Sequence, residues 1–416
     1  MTTVSRRLAI GLVVAAYGLS DGGAGGAGST GPAGPGPPLR RGMNFHHVLN
    51  WPEMSAPGNY VWPPFTGASF QTSDGELAAL KAKGFDFLRL TLDPAILMAS
   101  APLLRDQLID IVLGRAQRFI HAGFSVVVDL HPVAQNPRFA PGQLMSDGDA
   151  FKAYSRMTQA LAKALARLDP MKVALELFNE PPLWRPEGQV HWRAMQAGLH
   201  DVARQAAGDA LPIVLTGADW SSYRALLSLD VDRYRNSNVY YTFHYYEPHI
   251  FTHQGVQKEQ ERYVENLVWP PAPAQRTSAV QKAKLLIDRD SGLSPDGKLA
   301  ASLTTERLLN SYFDGGSDAE GVEAVFARIG DWARARRIAS SRVLLGEFGA
   351  ALQPGASAEV GASRLAWLRA VRSAAELNGF PWAYWAYRGK GGMSLATEGS
   401  AAEIDTGVLK ALGLST

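Results

Sequence analysis

Eight apolar runs of strand length recur between residues 41 and 387, and most are separated by stretches long enough to form a helix. They are 41–47 (RGMNFHH), 85–90 (FDFLRL), 125–131 (SVVVDLH), 173–180 (VALELFNE), 212–217 (PIVLTG), 239–246 (VYYTFHYY), 343–349 (VLLGEFG) and 380–387 (FPWAYWAY). Continuous apolar strands that alternate with helices imply a parallel sheet covered by those helices. No glycine-rich phosphate loop follows the first run, so a closed barrel fits better than a doubly wound sheet. The expected architecture is α/β, a single (β/α)8 TIM barrel over residues 41–416. Helix punctuation agrees: Ser73 and Glu76 make a capping box ahead of ELAALKAK, and Gly84 ends that helix. Residues 248–316 break the rhythm, being polar and Pro-rich, with only QKAKLLI and TTERLLNSYF suggesting helix. They read as a long insertion after the sixth strand, on the face where active-site loops sit.

The start of the chain has a different character. Arg6 and Arg7 precede an apolar run at residues 8–19, and a Gly/Ala stretch follows at residues 22–28. These are the parts of a signal peptide over residues 1–28, so export to the periplasm or exterior is expected. The apolar run of 12 residues is too short for a stable membrane span. Residues 29–40 read as a Gly/Pro-rich linker that cannot bury apolar surface. Lys plus Arg number 41 against 39 Asp plus Glu, with no basic stripe, so nucleic acid is not an expected partner. With no cysteine in the chain there are no disulfides and no thiolate chemistry, and no metal or cofactor is expected.

Polar groups appear where the ends of barrel strands would meet: Arg89, His131, Asn179 with Glu180, His244 with Tyr246, Glu347, and Trp385. A carboxylate at the end of a core strand is costly to bury, and barrel enzymes keep catalytic groups at that face. Two glutamates so placed suit glycosidic bond cleavage, in which one carboxyl protonates the leaving oxygen and the other attacks the anomeric carbon. The two are far apart in sequence, so only the fold can unite them.

This set resembles glycoside hydrolase family 5, the cellulase family of clan A retaining glycosidases. The motif NEP at residues 179–181 is similar to the family's acid/base motif, and GEFG at 346–349 to its nucleophile motif. The resemblance implies that Glu180 is the acid/base and Glu347 the nucleophile. It also implies that Asn179 binds the sugar 2-hydroxyl, that His131 and His244 line the same subsite, and that a sugar ring stacks on Trp385. Arg89 and Tyr246 are expected to keep Glu347 ionised while Glu180 stays protonated. His46, His47, Trp51, Trp184, Trp220 and Trp269 are candidates for further sugar contacts, as are Trp62 and Tyr245. The implied activity is retaining hydrolysis of β-linked glucan, with an endo-β-1,4-glucanase in the lead. An exo-acting β-glucosidase, a β-1,3-glucanase, a β-mannanase and a transglycosylase use the same residues. A non-catalytic carbohydrate-binding barrel would have lost one of the carboxylates, and both are present.

Overall fold

Eight parallel strands close on themselves in the computed structural model, which describes residues 36–183, 186–235, 237–256, 260–389, 391–397 and 403–416. The expected signal peptide and the first part of the expected linker lie outside the described residues. The barrel strands are β1 (Arg41–Leu49), β2 (Phe87–Leu92), β3 (Ser125–Leu130), β4 (Val173–Glu176), β5 (Ile213–Thr216), β6 (Val239–His244), β7 (Val343–Phe348) and β8 (Trp382–Tyr384). Each pairs with its neighbour in sequence, and β1 pairs with both β2 and β8 to close the ring. Every residue of β2 to β8 is buried, which explains why these runs lack the alternation of a half-exposed sheet. The helix Asp74–Lys83 is capped as the sequence suggested, with the Ser73–Glu76 box at its start and Gly84 at φ 104° at its end.

The interior of the barrel is layered. Leu39, Phe87, Val127, Ala174, Val214, Tyr240, Leu344 and Ala383 form an apolar cluster at the N-terminal ends of the strands. Two residues further along four of the strands the interior turns polar: Asn44, Arg89, Asp129 and Glu176 follow Gly42, Phe87, Val127 and Ala174. This is the period-2 alternation of a strand, hidden in the sequence because the outward positions are equally buried against helices. Gly42 completes the lower layer by having no side chain, since a Cβ there would lie 2.3 Å from the Phe87 ring.

The Gly/Pro-rich segment does not stop short of the barrel. The Tyr240 hydroxyl donates to the Pro37 carbonyl at 2.8 Å, and the Arg40 and Arg41 amides donate to the Asp86 carboxylate. Together with Leu39 these contacts close the bottom of the barrel.

The insertion after β6 carries more helix than expected. Arg276–Arg289 and Pro295–Asp314 pack against each other, and both are longer than their apolar hints because one face is solvated. Trp269 fixes this insertion to the outside of the barrel. It is 5% exposed, its indole N–H donates to the Ser317 hydroxyl at 3.2 Å, and its backbone exchanges hydrogen bonds with Ser363 on the helix Ala358–Leu377. The expected sugar contact at Trp269 is therefore corrected to a packing anchor.

Replacing Gly42 with Ala should destabilise the barrel by about 1–3 kcal/mol, the usual cost of overpacking a filled core. A chemical denaturation midpoint that does not move would show that Phe87 has room to yield.

Candidate active site

Arg89 is fully buried in the polar layer, and each of its N–H groups is used. Nε and Nη2 donate to the two oxygens of Glu176 at 2.8 Å each, Nη1 donates to Glu347 Oε1 at 2.7 Å and Asn44 Oδ1 at 2.9 Å, and Nη2 also donates to Asn179 Oδ1 at 2.8 Å. Asp129 Oδ2 lies 3.0 Å from Nη2 as well. Burial works against the guanidinium charge, but the Asp129, Glu176 and Glu347 carboxylates hold its pKa well above the ordinary range. The rigid fork of arginine suits this role, because it can grip one carboxylate in bidentate fashion and still reach another.

A ring of hydrogen bonds orients the polar groups above Arg89. His131 Nδ1 lies 2.8 Å from Asp129 Oδ2, and His131 Nε2 lies 3.3 Å from Asn179 Nδ2. Burial, with the nearby Arg89 charge, keeps the His131 pKa well below its usual value, so the imidazole is neutral. Nδ1 then carries the hydrogen donated to Asp129, and Nε2 accepts from the Asn179 amide. With its oxygen on Arg89 and its nitrogen on His131, the Asn179 carboxamide is fixed in one orientation.

Glu347, at the end of β7, and Glu180, just beyond β4, meet across His244. His244 Nδ1 is 2.8 Å from Glu180 Oε1 and 3.6 Å from Glu347 Oε2. A carboxylate oxygen from each glutamate and a His244 ring nitrogen all lie within 4.8 Å of one another. Among the described residues this is the one group of ligand-type side chains close enough to hold a metal ion. Tyr246 donates its hydroxyl to Glu347 Oε2 at 2.9 Å. Glu180 sits at φ 50°, and Asp219, Trp220 and Ser221 in the loop after β5 are also left-handed, at 54°, 52° and 58°. Such backbone is unfavourable for residues other than glycine. Here it lets the Glu180 amide donate to the Ser221 hydroxyl at 3.2 Å and stitches the loops after β4 and β5 together through the Trp220 amide and the Pro181 carbonyl.

The electrostatics revise one expectation. Burial pushes the Glu347 carboxyl up to about 7, against the lowering by His244 and Arg89, and the charges of Glu180 and Asp129 raise it further. Arg89 and Tyr246 therefore do not keep it in the ordinary glutamate range. Burial is the largest of these causes, so Glu347 holds its own proton to near-neutral pH. His244 is lowered to about 4 by burial and Arg89, and stays neutral between them. Burial also raises Asp129 to about 7.

The model of the cellulase family, glycosyl hydrolase family 5, matches residues 41–391. The chain belongs to glycosyl hydrolase family 5. Endoglucanase 3 of Fibrobacter succinogenes is 25% identical over 393 residues, covering 91% of this chain and 53% of the relative, so the chain spans about half the length of the curated relative it matches. Among solved structures, the fold is similar to the cellulose synthase subunit Z of Clostridioides difficile, with a TM-score of 0.62 and 20% identity over 90% of this chain and 99% of that one. A family 5 xyloglucanase from Paenibacillus pabuli has a TM-score of 0.65 and 16% identity over 90% and 98% of the two chains.

In this family 5 barrel the remaining sequence candidates separate by strand face. His46 points inward, where its ring lies 4.9 Å from His131 and 4.8 Å from Trp385, and its Nε2 accepts the Trp51 indole N–H at 2.9 Å. His47, one residue on, points outward to Thr72 at 3.0 Å and packs near Tyr387, so its expected sugar contact is corrected to a structural one. Trp385 is half-buried and stacks on His131 at 5.5 Å and 13°. Trp51 and Trp220 are 46% and 49% exposed and stand beside the site, through His46 and through the Glu180 loop. Trp62 is also exposed, and Trp184 lies outside the described residues. Tyr245 is buried against Trp367 and Phe326, so it too is a packing residue.

Sequence reading missed Asn44, Asp129, Glu176 and Ser221. Strand periodicity was the available signal for the first three, since each lies an even number of residues from an inward group on its own strand or its extension: Asn44 from His46, Asp129 from His131, Glu176 from Ala174. No local pattern marked Ser221.

Arg89→Met should leave three buried carboxyls without a counter-charge and cost about 3–5 kcal/mol of stability near neutral pH. Carboxyls whose folded pKa is raised bind protons more readily folded than unfolded, so the deficit should be smaller at pH 5 than at pH 8. Denaturant titrations at both pH values check this, and a deficit independent of pH would contradict it.

Proposed function

We propose that this chain is a retaining glycoside hydrolase that cleaves β-linked glucan internally, an endo-β-1,4-glucanase in type. The observation that carries the reading is the approach of Glu180 and Glu347 oxygens to within 4.8 Å across His244. Retaining enzymes hold their carboxyl groups about 5–5.5 Å apart, whereas inverting enzymes leave about 6.5–9.5 Å for a water. Glu347, gripped by Arg89 and Tyr246, attacks the anomeric carbon as the carboxylate. Glu180 gives a proton to the departing glycosidic oxygen, then takes one from the water that releases the covalent intermediate. Asn179, fixed between Arg89 and His131, offers an amide hydrogen to the 2-hydroxyl as charge develops on the sugar.

Family membership and the endoglucanase relative support the glucan assignment. Exposed Trp51 and Trp220 suit stacking of sugars along an open cleft, and the Trp269 anchor on the outer helix favours internal over chain-end attack. The basic and apolar start of the chain supports export.

Glu347→Ala should abolish turnover, and azide should restore activity by forming a glycosyl azide of inverted configuration. Glu180→Ala should lose roughly 10²–10⁴-fold on glucan yet keep a fast first step with dinitrophenyl glycosides, whose leaving group needs no proton. Equal losses on both substrates, or an active Glu347→Ala without azide, would refute the roles. Product lengths from barley β-glucan, carboxymethylcellulose, laminarin and mannan decide linkage and endo action.

Glu347 must be ionised to attack. The acidic limb of kcat/KM should therefore lie near pH 7, where burial puts its carboxyl, and Tyr246→Phe should move that limb upward because the ionised form loses a donor. A limb that stays put in Tyr246→Phe would show that the hydroxyl does not stabilise the charge.

A further inference from the structure

Tyr246 lies two residues beyond the end of β6, so no strand pairing holds the ring whose hydroxyl reaches Glu347. The chain instead folds straight back on it. A single helical turn, His249–Thr252, brings the buried Thr252 hydroxyl to the Tyr246 carbonyl at 2.7 Å. That bond is shorter than the 3.2 Å contact of the same hydroxyl to the His249 carbonyl, so it takes the hydroxyl hydrogen. The 3.0 Å contact between Thr252 Oγ1 and His253 Nδ1 must then have the imidazole as donor. Burial lowers His253 to about 3, with the neighbouring His249 adding to the fall, so this neutral tautomer persists at working pH.

Two aromatic rings pack against His253. The Tyr246 ring meets it edge-on, with centroids 5.0 Å apart and planes at 68°. The His249 ring stacks on it at 3.7 Å and 7°. His249 Nδ1 lies 3.1 Å from Glu261 Oε1, and the Glu261 carbonyl accepts the Gly255 amide at 3.0 Å. The next residue, Gln254, ties the turn down through three backbone contacts, to the Phe251 carbonyl and to the carbonyl and amide of Leu267. The turn that carries His253 is thus tied down at several points beside the Tyr246 ring.

We propose that His253 is a positioning residue that holds the Tyr246 hydroxyl on Glu347 and thereby sets how readily Glu347 carries its charge. The proposal rests on the reading of Glu347 as the nucleophile and deepens it. His253 touches neither carboxylate and acts through the aromatic edge and the Thr252 hydroxyl. A tyrosine that is free to swing donates to Glu347 only part of the time, and the carboxylate loses that fraction of its stabilisation.

The test uses the full chain and three variants. His253→Leu fills the space without an aromatic edge or a ring N–H, His253→Phe restores the edge alone, and Thr252→Val removes the hydroxyl link. The pKa of Glu347 is read directly by carbon-13 NMR of glutamate-labelled protein, with Glu347→Gln identifying the resonance, and turnover is read with an aryl β-cellobioside. His253→Leu should raise the Glu347 pKa in the same direction as Tyr246→Phe and lower kcat roughly ten- to a hundredfold with KM little changed. His253→Phe should recover much of the loss, and His253→Leu added to Tyr246→Phe should shift the pKa no further. A folded His253→Leu with an unaltered Glu347 titration, or shifts that add fully to those of Tyr246→Phe, would overturn the proposal. If His253→Leu does not fold, Thr252→Val must raise the same pKa, and an unchanged value there overturns it equally. Turnover surviving in Glu347→Gln would defeat the nucleophile reading alone, since the NMR titration still decides whether His253 governs Tyr246.

Discussion

A single guanidinium set in the middle of the barrel governs the chemistry above it. Arg89 binds carboxyls or amides from β1, β3, β4 and β7 and from the segment beyond β4, so it ties four strands and the loop that carries Glu180 to one point. An ion pair buried this deeply is not a cheap source of stability, because three carboxyls surround one cation and each has lost its water. What the arrangement supplies is geometry. Glu347, the Asn179 amide beside Glu180 and, through Asp129, His131 just beyond β3 are all referred to the same five N–H vectors, and side chains so fixed need little reorganisation when charge moves.

The excess of carboxyls over cations has a second effect. Were Asp129, Glu176, Glu180 and Glu347 all ionised, one arginine would face four negative charges among neutral histidines. The site relieves this by keeping protons, and burial raises Asp129, Glu176 and Glu347 together. The Glu180 side chain, by contrast, is the more exposed of the two glutamates that meet at His244. His244 stands between the two glutamates, 2.8 Å from one and 3.6 Å from the other.

The strands and both site carboxylates were legible in the sequence because each depends on local chemistry: an apolar run, then a polar residue that burial would not tolerate without a reason. What the sequence obscured was direction. In a barrel wrapped by helices both faces of a strand are apolar, so alternation is muted, and His46 and His47 looked alike although one faces His131 and Trp385 and the other faces Thr72. Asp129 and Glu176 were hidden inside VVVDL and ALELF for the same reason. Trp269 failed differently: an aromatic in a polar, Pro-rich stretch suggested an exposed platform, whereas its partners Ser363, on the helix Ala358–Leu377, and Ser317, between two helices, are brought near only by the tertiary fold. The left-handed run at residues 219–221 contains no glycine, and nothing local predicts it.

The plug at the bottom of the barrel has a directional consequence. Tyr240, Arg342 and the residues around Gly36 and Pro37 meet at the N-terminal ends of the strands, while Glu180 and Glu347 lie at the opposite ends. Gly36 thus sits at the floor of the barrel, opposite Glu180 and Glu347. A tether, a surface anchor or an engineered fusion joined there would carry the enzyme with its mouth facing outward, leaving a polymer free to approach from the far side.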